Sequence, residues 1–290
     1  MKLSNKQLEQ YKSVGFLVLK DFVSADECDR LRARAEQLVA EFDPNGVVSI
    51  FSTREQTRTS DEYFLSSGDK IRFFFEENAF DSDGNLDQSI EQSVNKIGHA
   101  LHDLDPMFSG FSRAPKLAQL VSDLGVDDPL LIQSMYIFKQ PNIGGEVTCH
   151  QDSTFLYTDP IKLIGMWFAL EDATIENGCL WAIRGGHKAG LKSRFKRDGA
   201  GGTCFESLDQ SPWQLADLVP LEVEKGTLIV LDGLLPHLSR ANNSSRSRPA
   251  YTLHVIEREA LYPAENWLQR DPKMAARGFS DSAGEIGTYE

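Results

Sequence analysis

The chain has 290 residues, of which 41% are hydrophobic and 10% aromatic, and its 43 acidic and 30 basic side chains leave a net charge of −13. That composition supplies a packed core and excludes a disordered chain, a collagen and a disulfide-stapled miniprotein. The acidic balance argues against nucleic acid or an anionic membrane as a partner. The four cysteines, Cys28, Cys149, Cys179 and Cys204, form no CxxC pair, so neither a zinc ribbon nor a thioredoxin-like centre is indicated. No apolar signal region opens the chain and no apolar run is long enough to span a bilayer, so the expected location is the cytoplasm.

In chain order, residues 5–13 read as a helix that Gly15 stops, and residues 16–19 as a short apolar strand. Ser24 and Glu27 match the capping box S-x-x-E. Leu31, Ala35, Leu38 and Phe42 then recur at helical spacing up to Pro44-Asn45-Gly46. Residues 89–104 predict a further helix, because Ile90, Val94, Ile97, Leu101 and Leu104 form an apolar stripe that Asp105-Pro106 ends. On that helix His99 would face solvent. A shorter helix is expected at 115–124.

From residue 130 the pattern changes. Residues 130–139, 163–170, 180–183, 227–231 and 250–256 are short runs rich in β-branched and aromatic residues, punctuated by Gly, Pro, Asn and Asp. They predict an antiparallel sandwich or barrel. The expected organisation is one domain over residues 1–270, with a helical layer at 1–125 and a β core at 130–257. Residues 271–290 carry little apolar content and read as a mobile tail.

Of six histidines, only His150 is followed two residues later by a carboxylate, Asp152. On an extended segment residues i and i+2 point to one face, so both can reach one metal ion. His237, just beyond the run at 227–231 and the turn Asp232-Gly233, is the best third ligand. Two His and one carboxylate leave open positions on an octahedral ion, the arrangement of non-haem Fe(II) oxygen chemistry. The triplet by itself is a weak signal, and a loop histidine bonded to a carbonyl is the plain alternative. Arg248 supports the metal reading: it shares a strand face with Ala250, Thr252 and His254, and its planar fork suits a carboxylate co-substrate. Arg246 reads as a surface charge, His254 as either a neighbour of the metal ligands or a core histidine. Cys149 alternates away from His150, and Cys179 and Cys204 read as packing or loop thiols.

Several stretches resemble the phytanoyl-CoA dioxygenase family: DEYFLSSGDKIRFFFE at 61–76, VNKIGHALH at 94–102, QSMYIFKQP at 133–141, GGEV..HQD..FLYT at 144–158, EDATIENGCLW at 171–181 and RSR.AYT.H at 246–254. The resemblance implies a mainly β fold with α elements: a double-stranded β-helix, or cupin-like jelly roll, with helices packed on one side. It implies Fe(II) held by His150, Asp152 and His237, and 2-oxoglutarate as co-substrate contacted by Lys96, Met135, Trp167 and Arg248. Taken alone, Lys96 reads as a solvated helix flank whose stem could snorkel to a pocket, and Met135 and Trp167 read as core. The implied activity is a dioxygenase that uses O2, with ascorbate as a supporting reductant, to decarboxylate 2-oxoglutarate to succinate and CO2 while hydroxylating a small molecule. The carboxylate of Asp152 favours hydroxylation over halogenation. Where relatives carry Pro-Gly-Ser-His on the substrate side, this chain has Arg184-Gly185-Gly186-His187.

Two other classes compete. One is a cupin-like isomerase or hydrolase that does not use 2-oxoglutarate, which would leave Arg248 without a role. The other is a 2-oxoglutarate sensor without turnover, against which the intact triad speaks. A basic segment, Lys188, Lys192, Arg194, Lys196 and Arg197, reads either as an anion site for a CoA thioester or as a solvated loop.

Overall fold

The computed structural model describes residues 2–44, 49–51 and 61–280. It opens on α1 (Asn5–Val14), β1 (Phe16–Leu19) and α2 (Ala25–Ala40). Gly15 caps α1 in the left-handed conformation at φ 86°, which a glycine adopts without a Cβ clash. The expected box at Ser24 is formed: Ser24 Oγ accepts from Glu27 N, and Glu27 Oε2 accepts from Ser24 N. Asn45 and Gly46 of the expected stop lie outside the described residues.

The stretch that follows contains α3 (Glu62–Leu65), β2 (Ile71–Phe75), α4 (Ile90–Ser93), β3 (Val94–His99), α5 (Leu101–Leu104), α6 (Pro106–Ser112) and α7 (Pro115–Asp123). The single helix expected over 89–104 is therefore wrong: two one-turn helices flank a strand. Every residue of β3 is buried, because it lies inside a sheet between β2 and the next strand. Val94 and Ile97 are β-branched and Gly98 is a poor helix former, so the intrinsic bias toward helix is small and strand pairing decides. His99 is accordingly buried, with 0% exposure, and not at the surface. Lys96 sits on this strand, not on a helix.

The remainder is mostly strand: β4 (Pro129–Ile137), β5 (Val147–His150), then α8 (Asp152–Phe155), β6 (Leu163–Ala169), β7 (Leu180–Ile183), β8 (Ser193–Arg197), β9 (Thr203–Ser207), β10 (Leu218–Leu221), β11 (Leu228–Asp232), β12 (His237–Ser239) and β13 (Ala250–Glu257). A seven-stranded sheet runs in the order β1-β11-β6-β13-β4-β3-β2, and a four-stranded sheet in the order β10-β7-β12-β5. Neighbours within both sheets pair antiparallel. The architecture is the expected jelly roll with helices on one side. The first 125 residues also contribute three strands, β1, β2 and β3, to the large sheet. The basic segment holds β8, which pairs with β9 as a hairpin.

Strand alternation divides the large sheet into two faces. Tyr136, Met166, Phe168, Tyr251, Leu253 and Val255 point outward and join Leu31, Phe108, Phe111, Leu117 and Val121 of the helices in one core. The ring of Phe108 lies 5.0 Å from that of Tyr251, and Phe111 5.0 Å from Phe168. Each such side chain contributes about 1.5–3 kcal/mol by leaving water. The alternate residues, among them Met135, Gly165, Trp167, Thr252 and His254, face the small sheet across a cavity of about 450 Å³. After β13 the chain is tied back: Leu131 N donates to Arg277 O at 2.9 Å. The tail expected from residue 271 is thus anchored through this bridge, and 281–290 lie outside the described residues.

Candidate active site

The small sheet sets the first three groups. His237 opens β12 and is the register partner of His150, the last residue of β5. Asp152 follows at the start of α8. One ligand atom from each of His150, Asp152 and His237 lies within 4.8 Å of the other two. His150 Nδ1 sits 2.8 Å from Thr148 O, and His237 Nδ1 sits 3.0 Å from Leu235 O. A carbonyl only accepts, so both rings carry their proton on Nδ1 and turn the Nε2 lone pair inward. Those Nε2 atoms are 3.6 and 3.7 Å from Asp152 Oδ1.

Two ring nitrogens and a carboxylate oxygen therefore converge, which is the donor set of a divalent cation. Burial pushes His237 down to about 4, and the neighbouring His150 adds to the effect, so the ring is neutral at neutral pH. Burial alone would raise the Asp152 carboxyl, and positive charge on His237 and His254 would hold it well below the usual carboxylate range. His254 Nε2 lies 3.3 Å from the other carboxylate oxygen, Oδ2. Gly165 on β6 makes room for that oxygen, since a Cβ there would sit 2.7 Å from it.

The same cavity is lined by Lys96, Met135, Trp167 and Arg248. Arg248 is 2% exposed. Its Nε donates to Gly178 O at 3.0 Å, its guanidinium carbon lies 5.1 Å from the Trp167 ring centroid, and among the described residues Nη1 has no hydrogen-bond partner. Burial pushes it down to about 10. Lys96 Nζ lies 3.8 Å from Met135 Sδ and 3.6 Å from the Phe51 ring centroid, and burial pushes it down to about 7. Arg246 is exposed, as its sequence reading held.

Two polar residues of this wall escaped the sequence reading. Lys139 is 1% exposed and donates to Ser239 Oγ at 2.7 Å and to Gly145 O. Burial, with the charge of Arg248, pushes it down to about 7. Both it and Ser239 line the cavity. A period-two count would have found them: Lys139 follows Met135 and Ile137 on one face, and Ser239 follows His237. One other part departs from expectation. The loop Arg184-Gly185-Gly186-His187 does not border the cavity; it packs on the end of α1, with Gly185 N donating to Val14 O at 2.9 Å and His187 Nε2 3.1 Å from Lys12 O. Cys149 borders the cavity but is not in the ligand cluster, and Cys179 is buried.

Comparison with known proteins agrees with this arrangement. The family model described as phytanoyl-CoA dioxygenase (PhyH) matches residues 11–250. A phytanoyl-CoA dioxygenase of Arabidopsis thaliana is 49% identical over 269 residues, covering 92% of this chain and 94% of the relative. Phytanoyl-CoA dioxygenase domain-containing protein 1 of Mus musculus is 47% identical, covering 94% and 97%. Among solved structures, EctD from S. alaskensis with 2-oxoglutarate and 5-hydroxyectoine superposes with a TM-score of 0.64 at 21% identity, covering 95% of this chain and 84% of that one, which bears on the fold alone. Among the described residues no helix is long and apolar enough to cross a membrane. The chain belongs to the phytanoyl-CoA dioxygenase family and is an enzyme of the non-haem iron dioxygenase kind.

Proposed function

We propose that His150, Asp152 and His237 hold Fe(II), and that the enzyme couples oxidative decarboxylation of 2-oxoglutarate to hydroxylation of a small molecule. The balance is substrate C–H plus 2-oxoglutarate plus O2 giving alcohol, succinate and CO2, one oxygen atom entering each of alcohol and succinate. Bound Fe(II) would supply O2 activation and Lewis acidity. The residues orient and screen. Nδ1-to-carbonyl hydrogen bonds aim both Nε2 atoms, and His254 aligns Asp152. Arg248, with Lys139 and Ser239 beside it, offers a buried cationic end for the distal carboxylate of 2-oxoglutarate, over the Trp167 ring. Lys96 and Met135 complete that wall. Residues 1–270 make up one such domain, whose expected location is the cytoplasm.

The observation that carries this reading is the pairing of a three-donor cation site with a buried, unsaturated guanidinium in one cavity. A cupin-like enzyme without a carboxylate co-substrate gives Arg248 no anion. The test is succinate formation from 2-oxoglutarate with Fe(II), O2 and ascorbate, wild type against Asp152→Ala. Succinate from wild type alone supports the reading. No succinate, together with no binding of 2-oxoglutarate to the metal-loaded protein, moves the assignment to that rival, whereas binding without turnover on any substrate leaves the sensor.

A further inference from the structure

One wall of the cavity takes no part in holding metal or 2-oxoglutarate. Phe155 ends α8, three residues after Asp152, and its ring centroid is 5.8 Å from that of His150. Phe195 on β8 and Phe205 on β9 are register partners with rings 4.9 Å apart, and both pack on Phe155, at 5.5 and 6.2 Å. Trp213 also lines the cavity, with Lys192 Nζ 5.0 Å from its ring centroid. Phe205 is 48% exposed and Leu208 is 53% exposed, so apolar surface continues from the cavity toward solvent. An aromatic wall that is open to solvent at one end and touches a metal ligand at the other is a binding surface left uncovered by the described residues.

Four of the five cations of the basic segment, Lys192, Arg194, Lys196 and Arg197, have partners, and Lys188 is exposed. Lys192 Nζ bonds Asp209 Oδ2 at 2.7 Å and the Ser211 oxygens. Arg194 meets Glu265 at 2.8 Å and Glu206 at 3.7 Å, and Lys196 meets Glu206 at 3.1 Å. Arg197 donates to Leu65 O and Trp267 O. These four cations brace the hairpin through pairs within the protein.

We propose that this wall is the subsite for the prime substrate and takes an uncharged, ring-bearing hydrocarbon group, not the phosphorylated end of a CoA thioester. A group stacked on Phe155 lies against His150, which presents its C–H bonds to the metal position. The inference rests on the metal assignment above, and the experiment separates the two.

The probe is 1-fluoronaphthalene, followed by fluorine NMR under argon on protein loaded with 2-oxoglutarate and either Mn(II) or Zn(II). The expected result is saturable binding, strong line broadening with Mn(II) only, and transfer of saturation from protein aromatic protons to the probe. Phe205→Ser and Trp213→Ser should each weaken binding by about fivefold or more, the loss of one stacked ring. Phe205 is half-exposed, so its replacement is compatible with folding, which urea unfolding checks. Free coenzyme A should not displace the probe. Binding that neither substitution weakens, equal broadening with both metals, or displacement by coenzyme A would overturn the subsite. If Asp152→Ala leaves metal affinity unchanged, the metal assignment falls instead; saturation transfer and the two substitutions then still decide whether the wall is occupied.

Discussion

Two buried carboxylates, Asp103 and Asp152, differ in what surrounds them, and the difference separates a structural network from a site. Asp103 receives Arg113 Nη2 at 2.6 Å, Arg277 Nη2 at 2.8 Å and Arg270 Nη2, with His102 Nε2 at 3.3 Å. Guanidinium is permanently charged, so that carboxylate is compensated within the protein. Burial opposes its ionisation, but the hydrogen bond from His102 and the charges of Arg270 and Arg277 hold it far below the usual range. Asp152 faces imidazoles from His150, His237 and His254, which carry no permanent charge. The first cluster is closed. The second is completed only by a cation from solution.

The largest effect that would break this contrast is on stability. Asp103→Ala strands three guanidinium groups and should cost about 3–5 kcal/mol in urea unfolding. Asp152→Ala in the metal-free protein should cost less, about 1 kcal/mol, because imidazoles and no permanently charged group surround it. Equal losses would contradict the contrast.

Metal affinity should show the reverse order. Asp152→Ala is expected to weaken Mn(II) binding, measured by calorimetry, by about 100-fold or more, since replacing even a supporting residue of a metal site costs about 10–100-fold. Mn(II) at 100 times its dissociation constant should stabilise the wild type by about 2.7 kcal/mol and leave Asp152→Ala unmoved. Next in size, Arg248→Ala should raise the 2-oxoglutarate KM by about 10–100-fold, the worth of a charged hydrogen bond, with metal affinity retained. An unchanged KM would move the anchor to Lys139 or Lys96.

The smallest effect concerns acid. The folded carboxyl of Asp103 lies below its unfolded value. The unfolded chain therefore takes up the proton first, and the stability contributed by Asp103 is present above the ordinary carboxylate range and lost as pH falls below it. Between about pH 5 and pH 2 the wild type should lose about 2 kcal/mol more than Asp103→Ala. Parallel profiles would assign the acid sensitivity to other carboxylates.

What the sequence displays and what it hides follow the same line. The Ser24–Glu27 box is legible because it is local. So are His150 and Asp152, two residues apart, and the inward face of Arg248, Thr252 and His254, because strand alternation needs no knowledge of partners. Residues 94–99 are not legible. Their apolar spacing fits a helix, and only pairing with β2 and β4, strands far apart in sequence, makes them a strand. His99 is misread with them. The basic segment is ambiguous in sequence because its partners Glu206, Asp209 and Glu265 lie downstream. The Asp103 cluster is only partly local: His102 and Arg113 are near in sequence, but Arg270 and Arg277 reach it from the far end of the chain.

Anomalous diffraction from crystals grown anaerobically with Mn(II) and 2-oxoglutarate tests the central claim most directly. The account predicts one metal peak bounded by His150 Nε2, Asp152 and His237 Nε2, and a 2-oxoglutarate whose distal carboxylate meets the Arg248 guanidinium. A metal peak elsewhere, or a carboxylate away from Arg248 and Lys139, would contradict it.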